Sequence, residues 1–200
     1  LRVLDPACGS GAFLVHVPDR LTQLHVAAGD TRPVTTIRRE VATRSVFGVD
    51  VNPMKVDAIN RGQSPIVEPG VGELIGRMVA GERLRATTDS AEAIKKSDIS
   101  MVCVGTPSND NGSLGLGYMS RAIGEIGELL KSASGYVIVN IRSTVLPGTV
   151  EGVIIPTLEE KSGKVCGKDF GVCMNPEFMR EATAVKDFAA PPFTGIGSGD

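Results

Sequence analysis

Ser45-Val-Phe-Gly-Val-Asp50 is a short apolar run that stops on an acid. A continuous run of this length, β-branched or apolar and bounded by polar residues, reads as a strand buried on both faces, as in a parallel sheet. Arg2 to Leu4, Ile99 to Val104, Tyr136 to Ile141 and Phe170 to Met174 have the same character. Amphipathic stretches lie between them. The clearest spans Gly117 to Lys131, where Met119, Ala122, Ile123, Ile126, Leu129 and Leu130 recur at helical spacing. Further helices are predicted at about Ala12 to Ala28, Pro53 to Arg61, Val71 to Ala80, Ser90 to Lys96 and Thr149 to Lys161, the last kinked at Pro156. Strand and helix alternating in this way specify βαβ units, and so an α/β fold with a doubly wound, mainly parallel sheet.

Composition narrows what such a domain can do. A chain of 200 residues, 42% of them hydrophobic, has enough apolar surface for one core without disulfides or metal. Its 21 basic and 23 acidic residues leave a formal net charge of −2, with no basic run, so neither nucleic acid nor an anionic membrane is an expected partner. No apolar run approaches the ~18 residues of a membrane span, and a cytoplasmic location is expected. Cys8, Cys103, Cys166 and Cys173 show no C-x-x-C pairing, which predicts reduced thiols rather than a bridge or a zinc site. The chain opens at Leu1 inside a strand pattern, which reads as part of a longer reading frame.

Three strands end on residues suited to a ligand. Asp50 closes the second, Thr106 follows the run from Met101, and Thr144 follows the run from Val137. Ligands of open α/β sheets sit beyond the carboxyl ends of the strands, so these three should face one crevice, and a nucleotide cofactor is the leading candidate. For either threonine the plain alternative is a hydroxyl bonded to its own turn. A glycine turn, Leu4-Asp-Pro-Ala-Cys-Gly-Ser-Gly-Ala-Phe-Leu14, follows the first strand. Gly9 and Gly11 would let backbone approach a ligand at a helix N-terminus. The turn departs from the dinucleotide fingerprint twice. Leu14 replaces the third glycine, and Asp50 lies 41 positions after Gly9, where about 20 are expected.

Two families are visible in these strings. The turn from Leu4 to Leu14 resembles motif I of the adenine-N6 DNA methyltransferases, which holds S-adenosylmethionine, and residues 1–54 fit that family, including Phe47-Gly-Val-Asp50. From about Val46 to the end, a longer series of motifs resembles the nucleotide-sugar 6-dehydrogenases. It comprises Gly48-Val-Asp-Val, Lys55, Ser64-Pro-Ile-Val-Glu-Pro-Gly70, Val104-Gly-Thr-Pro-Ser108, Arg142-Ser-Thr-Val-Leu-Pro-Gly-Thr149 and Asn175-Pro-Glu-Phe-Met-Arg-Glu181. The GDP-mannose branch of that family fits best and the UDP-glucose branch next. The two resemblances overlap at Phe47 to Met54, which suggests a chimera: residues 1–50 methyltransferase-like and 51–200 dehydrogenase-like, within one dinucleotide-binding domain.

The dehydrogenase resemblance implies a Rossmann-type sheet, NAD as cofactor and a nucleotide sugar, GDP-mannose or UDP-glucose, as substrate. It also implies homo-oligomers. By it, Asp50 would accept hydrogen bonds from the adenosine ribose, with Lys55 nearby, while Thr106 and Thr144 would contact the cofactor. Thr144 would also help hold a catalytic water. Glu181 would contact substrate and act as acid or base in thioester hydrolysis. Read from the residues alone, Asn175 and Pro176 look like an N-cap and first helical residue, placing Glu177 and Glu181 on one face of a short helix that could equally be a solvated face. The family oxidises its alcohol twice through a nucleophilic Cys in a later domain, so this chain alone should be incomplete. His16 and His25 have no partner motif.

Overall fold

The computed structural model describes residues 3–5, 31–32 and 46–198. Its strands are β1 (Val3–Asp5), β2 (Val46–Val49), β3 (Leu84–Thr87), β4 (Ile99–Val102), β5 (Val137–Ile141), β6 (Phe170–Met174) and β7 (Gly197–Ser198). They form one sheet in the order β3-β2-β1-β4-β5-β6-β7. Every pairing from β3 through β6 is parallel, and only β7 runs antiparallel, on β6. The chain therefore winds outward from β1 to β3, crosses back, and winds outward again from β4. That is the expected doubly wound sheet, with its topological switch between β1 and β4.

Helices cover both faces. On one side, α1 (Pro53–Asn60) and α2 (Val71–Ala80) bury Val56, Ile59, Val71, Ile75 and Met78 against Leu84, Ala86 and Met101. On the other, α3 (Ser90–Lys95), α4 (Gly117–Leu130) and α5 (Ile155–Ser162) bury Ile94, Met119, Ile123, Ile126, Leu130 and Leu158 against Val49, Val102, Val139 and Phe170. Adjacent residues Met101 and Val102 thus serve opposite cores, which is why the strand reads as unbroken apolar sequence. Close packing of α4 on α5 depends on Gly127: a Cβ there would lie 2.6 Å from Lys161 Cβ. Among the described residues no helix is long and apolar enough to cross a membrane.

Three elements depart from the expectations. β3 is a strand that hydrophobic patterning passed over, because exposed Arg85 interrupts a run of only four residues. Its pairing with β2, and two hydrogen bonds between Ala86 and the Asn60 amide at 2.8 and 2.9 Å, hold it at the sheet edge. The helix expected from Thr149 begins as a π-helical turn, Val150–Ile154, before α5. Pro156 explains the change, since it lacks an N–H and its ring crowds the carbonyl four residues earlier. Finally, Asn175 to Glu181 is not helical, and the next helix, α6, runs Ala184–Ala189. Asn175 N–H donates to Ile141 O at 2.9 Å, so extended backbone continues past β6. A residue before proline also disfavours the helical region.

Candidate functional site

The first corner of the site forms where β2 ends. Asp50 is only 8% exposed, although it lies one residue beyond the strand. Its N–H still follows the sheet, donating to Thr87 O at 3.3 Å. Asp50 Oδ1 accepts from the Asn52 N–H at 2.9 Å, and Oδ2 lies 3.7 Å from Lys55 Nζ. Asn52 in turn caps α1, its Oδ1 accepting from Met54 N–H at 3.0 Å, and Pro53 supplies a preset first helical turn. The carboxylate is thereby fixed at the carboxyl end of β2 by a short relay of neighbours. A fixed carboxylate can accept hydrogen bonds from both hydroxyls of a ribose diol, and a nearby ammonium adds positive charge for phosphate.

The second corner lies beyond β4, β5 and β6, where the sheet is extended by side chains. Thr106 Oγ1 donates to Thr144 O at 2.9 Å. The structure thus joins two residues expected to share a crevice, and the Thr106 hydroxyl bonds across to a neighbouring strand end rather than within its own turn. Ser143 Oγ donates to Val104 O at 2.6 Å, fastening the same two ends. Arg142 Nη1 donates to Asn175 Oδ1 at 2.5 Å, and Asn175 Nδ2 donates to Gly195 O at 2.7 Å. Asn175 is therefore a buried bracket between β5, β6 and the chain leading to β7, not an N-cap. Sequence reading missed Ser143 and Arg142 as members of this corner, although both stand in the quoted Arg142-Ser-Thr motif.

Glu181 is exposed on a turn and Glu177 lies in extended chain, its Oε2 accepting from Met179 N–H at 2.6 Å. They do not share a helix face. The Arg180 guanidinium and Thr183 hydroxyl bond Asp187, holding its carboxyl far below the ordinary carboxylate range. Among the described residues Cys103, Cys166 and Cys173 form no disulfide, and burial pushes the Cys173 thiol up, away from the reactive thiolate form. Gly9, Gly11, Cys8, His16 and His25 lie outside the described residues. What the structure does place is β1, parallel to both β2 and β4.

Known proteins are similar to this chain over most of its length. Residues 33–200 match the UDP-glucose/GDP-mannose dehydrogenase family, NAD binding domain. GDP-mannose 6-dehydrogenase of Pseudomonas putida is 56% identical over 155 residues, which are 78% of this chain and 35% of that protein. UDP-glucose 6-dehydrogenase AglM of Haloferax volcanii is 45% identical over 153 residues, 76% of this chain and 35% of that protein. The chain thus spans about a third of the length of the curated relatives it matches. Among solved structures, GDP-mannose dehydrogenase from Pseudomonas aeruginosa superposes with a TM-score of 0.81 at 43% identity, covering 100% of this chain and 41% of that one. UDP-glucose dehydrogenase from Pyrobaculum islandicum gives 0.80 at 31% identity, covering 100% of this chain and 41% of that one. With a doubly wound sheet, a buried acid closing β2 and the family pattern running through both corners, this chain belongs to the UDP-glucose/GDP-mannose dehydrogenase family and carries its NAD-binding domain.

Proposed function

We propose that this chain is the NAD-binding part of a nucleotide-sugar 6-dehydrogenase whose substrate is GDP-mannose, oxidised to GDP-mannuronate for an acidic polysaccharide. The observation that carries the cofactor half is Asp50: a buried carboxylate beyond β2, fixed by the Asn52 N–H, beside Lys55. Its acceptor oxygens and the adjacent ammonium fit a dinucleotide. Asp50 takes the adenosine ribose, Lys55 lies toward the same end, the pyrophosphate is assigned to Gly9 and Gly11 by their sequence motif, and Thr106 and Thr144 line the opposite corner. NAD, when bound, would supply the hydride acceptor for both oxidations at C6, the first of the alcohol and the second of the C6 adduct on the nucleophilic Cys. Thr144 helps hold the water that releases the acid, and Glu181 meets the sugar nucleotide as proton donor or acceptor. The GDP-mannose preference rests on the Pseudomonas putida relative, which is more similar than the UDP-glucose enzyme of Haloferax volcanii.

The same proposal treats residues 1–200 as one dinucleotide-binding domain, cytoplasmic and part of a homo-oligomer, with the nucleophilic Cys in a further domain. A second reading rests on the string Leu4 to Leu14: that the first quarter derives from an adenine-N6 DNA methyltransferase and the site takes S-adenosylmethionine. The parallel pairing of β1 with both β2 and β4 supports a hybrid able to fold, since both families need a strand there. Calorimetric titration of the chain with NAD and, separately, S-adenosylmethionine decides between them. Saturable NAD binding that Asp50→Ala weakens about thirtyfold is expected. Binding of S-adenosylmethionine alone would transfer the site to the first fifty residues, and a folded chain that binds neither would end both readings.

A further inference from the structure

The turn that carries Glu181 is pinned on both sides by carboxylates. On the far side Glu68, from the turn before α2, accepts the Ala182 N–H on Oε2 at 2.9 Å and the Ala184 N–H on Oε1 at 3.0 Å. On the near side Asp187 accepts the Arg180 N–H on Oδ2 at 3.0 Å while also holding the Arg180 side chain. Ala182, whose N–H Glu68 holds, stands at φ 65°, a left-handed conformation uncommon for a non-glycine residue. Glu68 is itself held in place: Val71 N–H donates to Glu68 O at 3.2 Å, and the Ser64 hydroxyl donates to Ile66 O at 2.7 Å in the same turn. The two turns are 114 and 116 residues apart along the chain at these contacts.

We propose that Glu68 is a positioning residue, whose carboxylate holds the 180–184 turn in its left-handed conformation and so sets where Glu181 is presented to the nucleotide sugar. The positioning role rests on the reading of Glu181 given above; the tether itself does not. A carboxylate suits this place because it accepts two N–H groups at once with charge-assisted bonds, which no neutral side chain of that length can do. Asp is too short by one methylene, and Gln replaces one of the two acceptor oxygens with a donor.

The test compares the 200-residue chain with Glu68→Ala and Glu68→Gln by amide hydrogen exchange and by titration with GDP-mannose at saturating NAD. In Glu68→Ala the Ala182 and Ala184 amides should exchange about tenfold faster or more, while β6 and α2 keep their protection. GDP-mannose affinity should fall about tenfold with NAD affinity unchanged, and Glu68→Gln should recover part of both effects. Unaltered exchange at both amides would overturn the tether. Equal loss of NAD and GDP-mannose affinity, or exchange raised throughout the sheet, would overturn the positioning role in favour of general stability. Should Glu68→Ala fail to fold, Glu68→Gln, which keeps the volume and one acceptor, carries the same comparison. If the unmodified chain takes no nucleotide sugar, the reading of Glu181 and the positioning role fall together, and the exchange result still decides the tether.

Discussion

The two corners of the site are built over different sequence distances. At the β2 corner the contacts of Asp50 with Asn52 and Lys55, and of Asn52 with Met54, all fall within one strand-to-helix turn. At the other corner Thr106 reaches Thr144 across 38 residues, Arg142 reaches Asn175 across 33, and Ser143 reaches Val104 across 39. A corner whose side chains are wired within one turn, with only the Asp50 N–H tied to β3 at Thr87 O, can lose those side-chain contacts with the sheet intact. A remotely wired corner exists only when β4, β5 and β6 are assembled, so damage there should appear as lost folding stability.

The largest expected effect tests the local corner. Asp50→Ala should weaken NAD by about 2 kcal/mol, roughly thirtyfold, the typical value of hydrogen bonds to a charged group, with the thermal midpoint little changed. A large fall in the midpoint instead would show that the corner is not independent. Asn175→Ala is the mirror experiment. It withdraws the acceptor from Arg142 Nη1 in a buried position and should cost about 1–3 kcal/mol in urea unfolding, with less effect on NAD affinity in the fraction that remains folded. Equal sensitivity of the two readouts in both variants would erase the distinction between the corners.

Smaller effects sharpen it. Asn52→Ala removes the cap of α1 and one support of the Asp50 turn, and should cost about 1 kcal/mol, visible as faster exchange at Met54 rather than in the sheet. The smallest effect is the pH dependence of the 180–187 turn. Because Arg180 and Thr183 hold the Asp187 carboxyl below its unfolded value, the pair contributes stability above pH ~4 that is lost progressively as the pH falls toward the folded value. Asp187→Asn should flatten that dependence below pH ~4, followed as exchange at the Arg180 amide. The pair is solvent-screened, so the change should be confined to this turn.

The strand run Ser45 to Asp50, the helical periods of α2 and α4, and the acid at the end of β2 were legible because each is written in neighbouring residues. Burial on both faces demands unbroken apolar strands, an amphipathic helix demands its 3.6-residue period, and a strand end must carry its own side chain to the crevice. Thr106 and Thr144 were also legible as strand-end residues. That one hydroxyl is spent on the other's carbonyl was not, because the register of β4 on β5 is a property of the assembled sheet.

Local rules misread Asn175 to Glu181 for the same reason. An asparagine followed by proline satisfies the pattern of a helix start, and nothing nearby says that Arg142 and Gly195 already engage its amide. β3 was missed because Leu84 to Thr87 is too short and too polar to declare itself, and becomes a strand only against β2 and the Asn60 amide. The amino-acid order by itself determined the layer architecture, the family and the acid at Asp50, since each depends on residues a few positions apart. Tertiary structure alone decided which distant groups share each buried hydrogen bond, and so where Thr144 and Glu181 stand, because a buried donor takes whichever acceptor the packed sheet brings within reach.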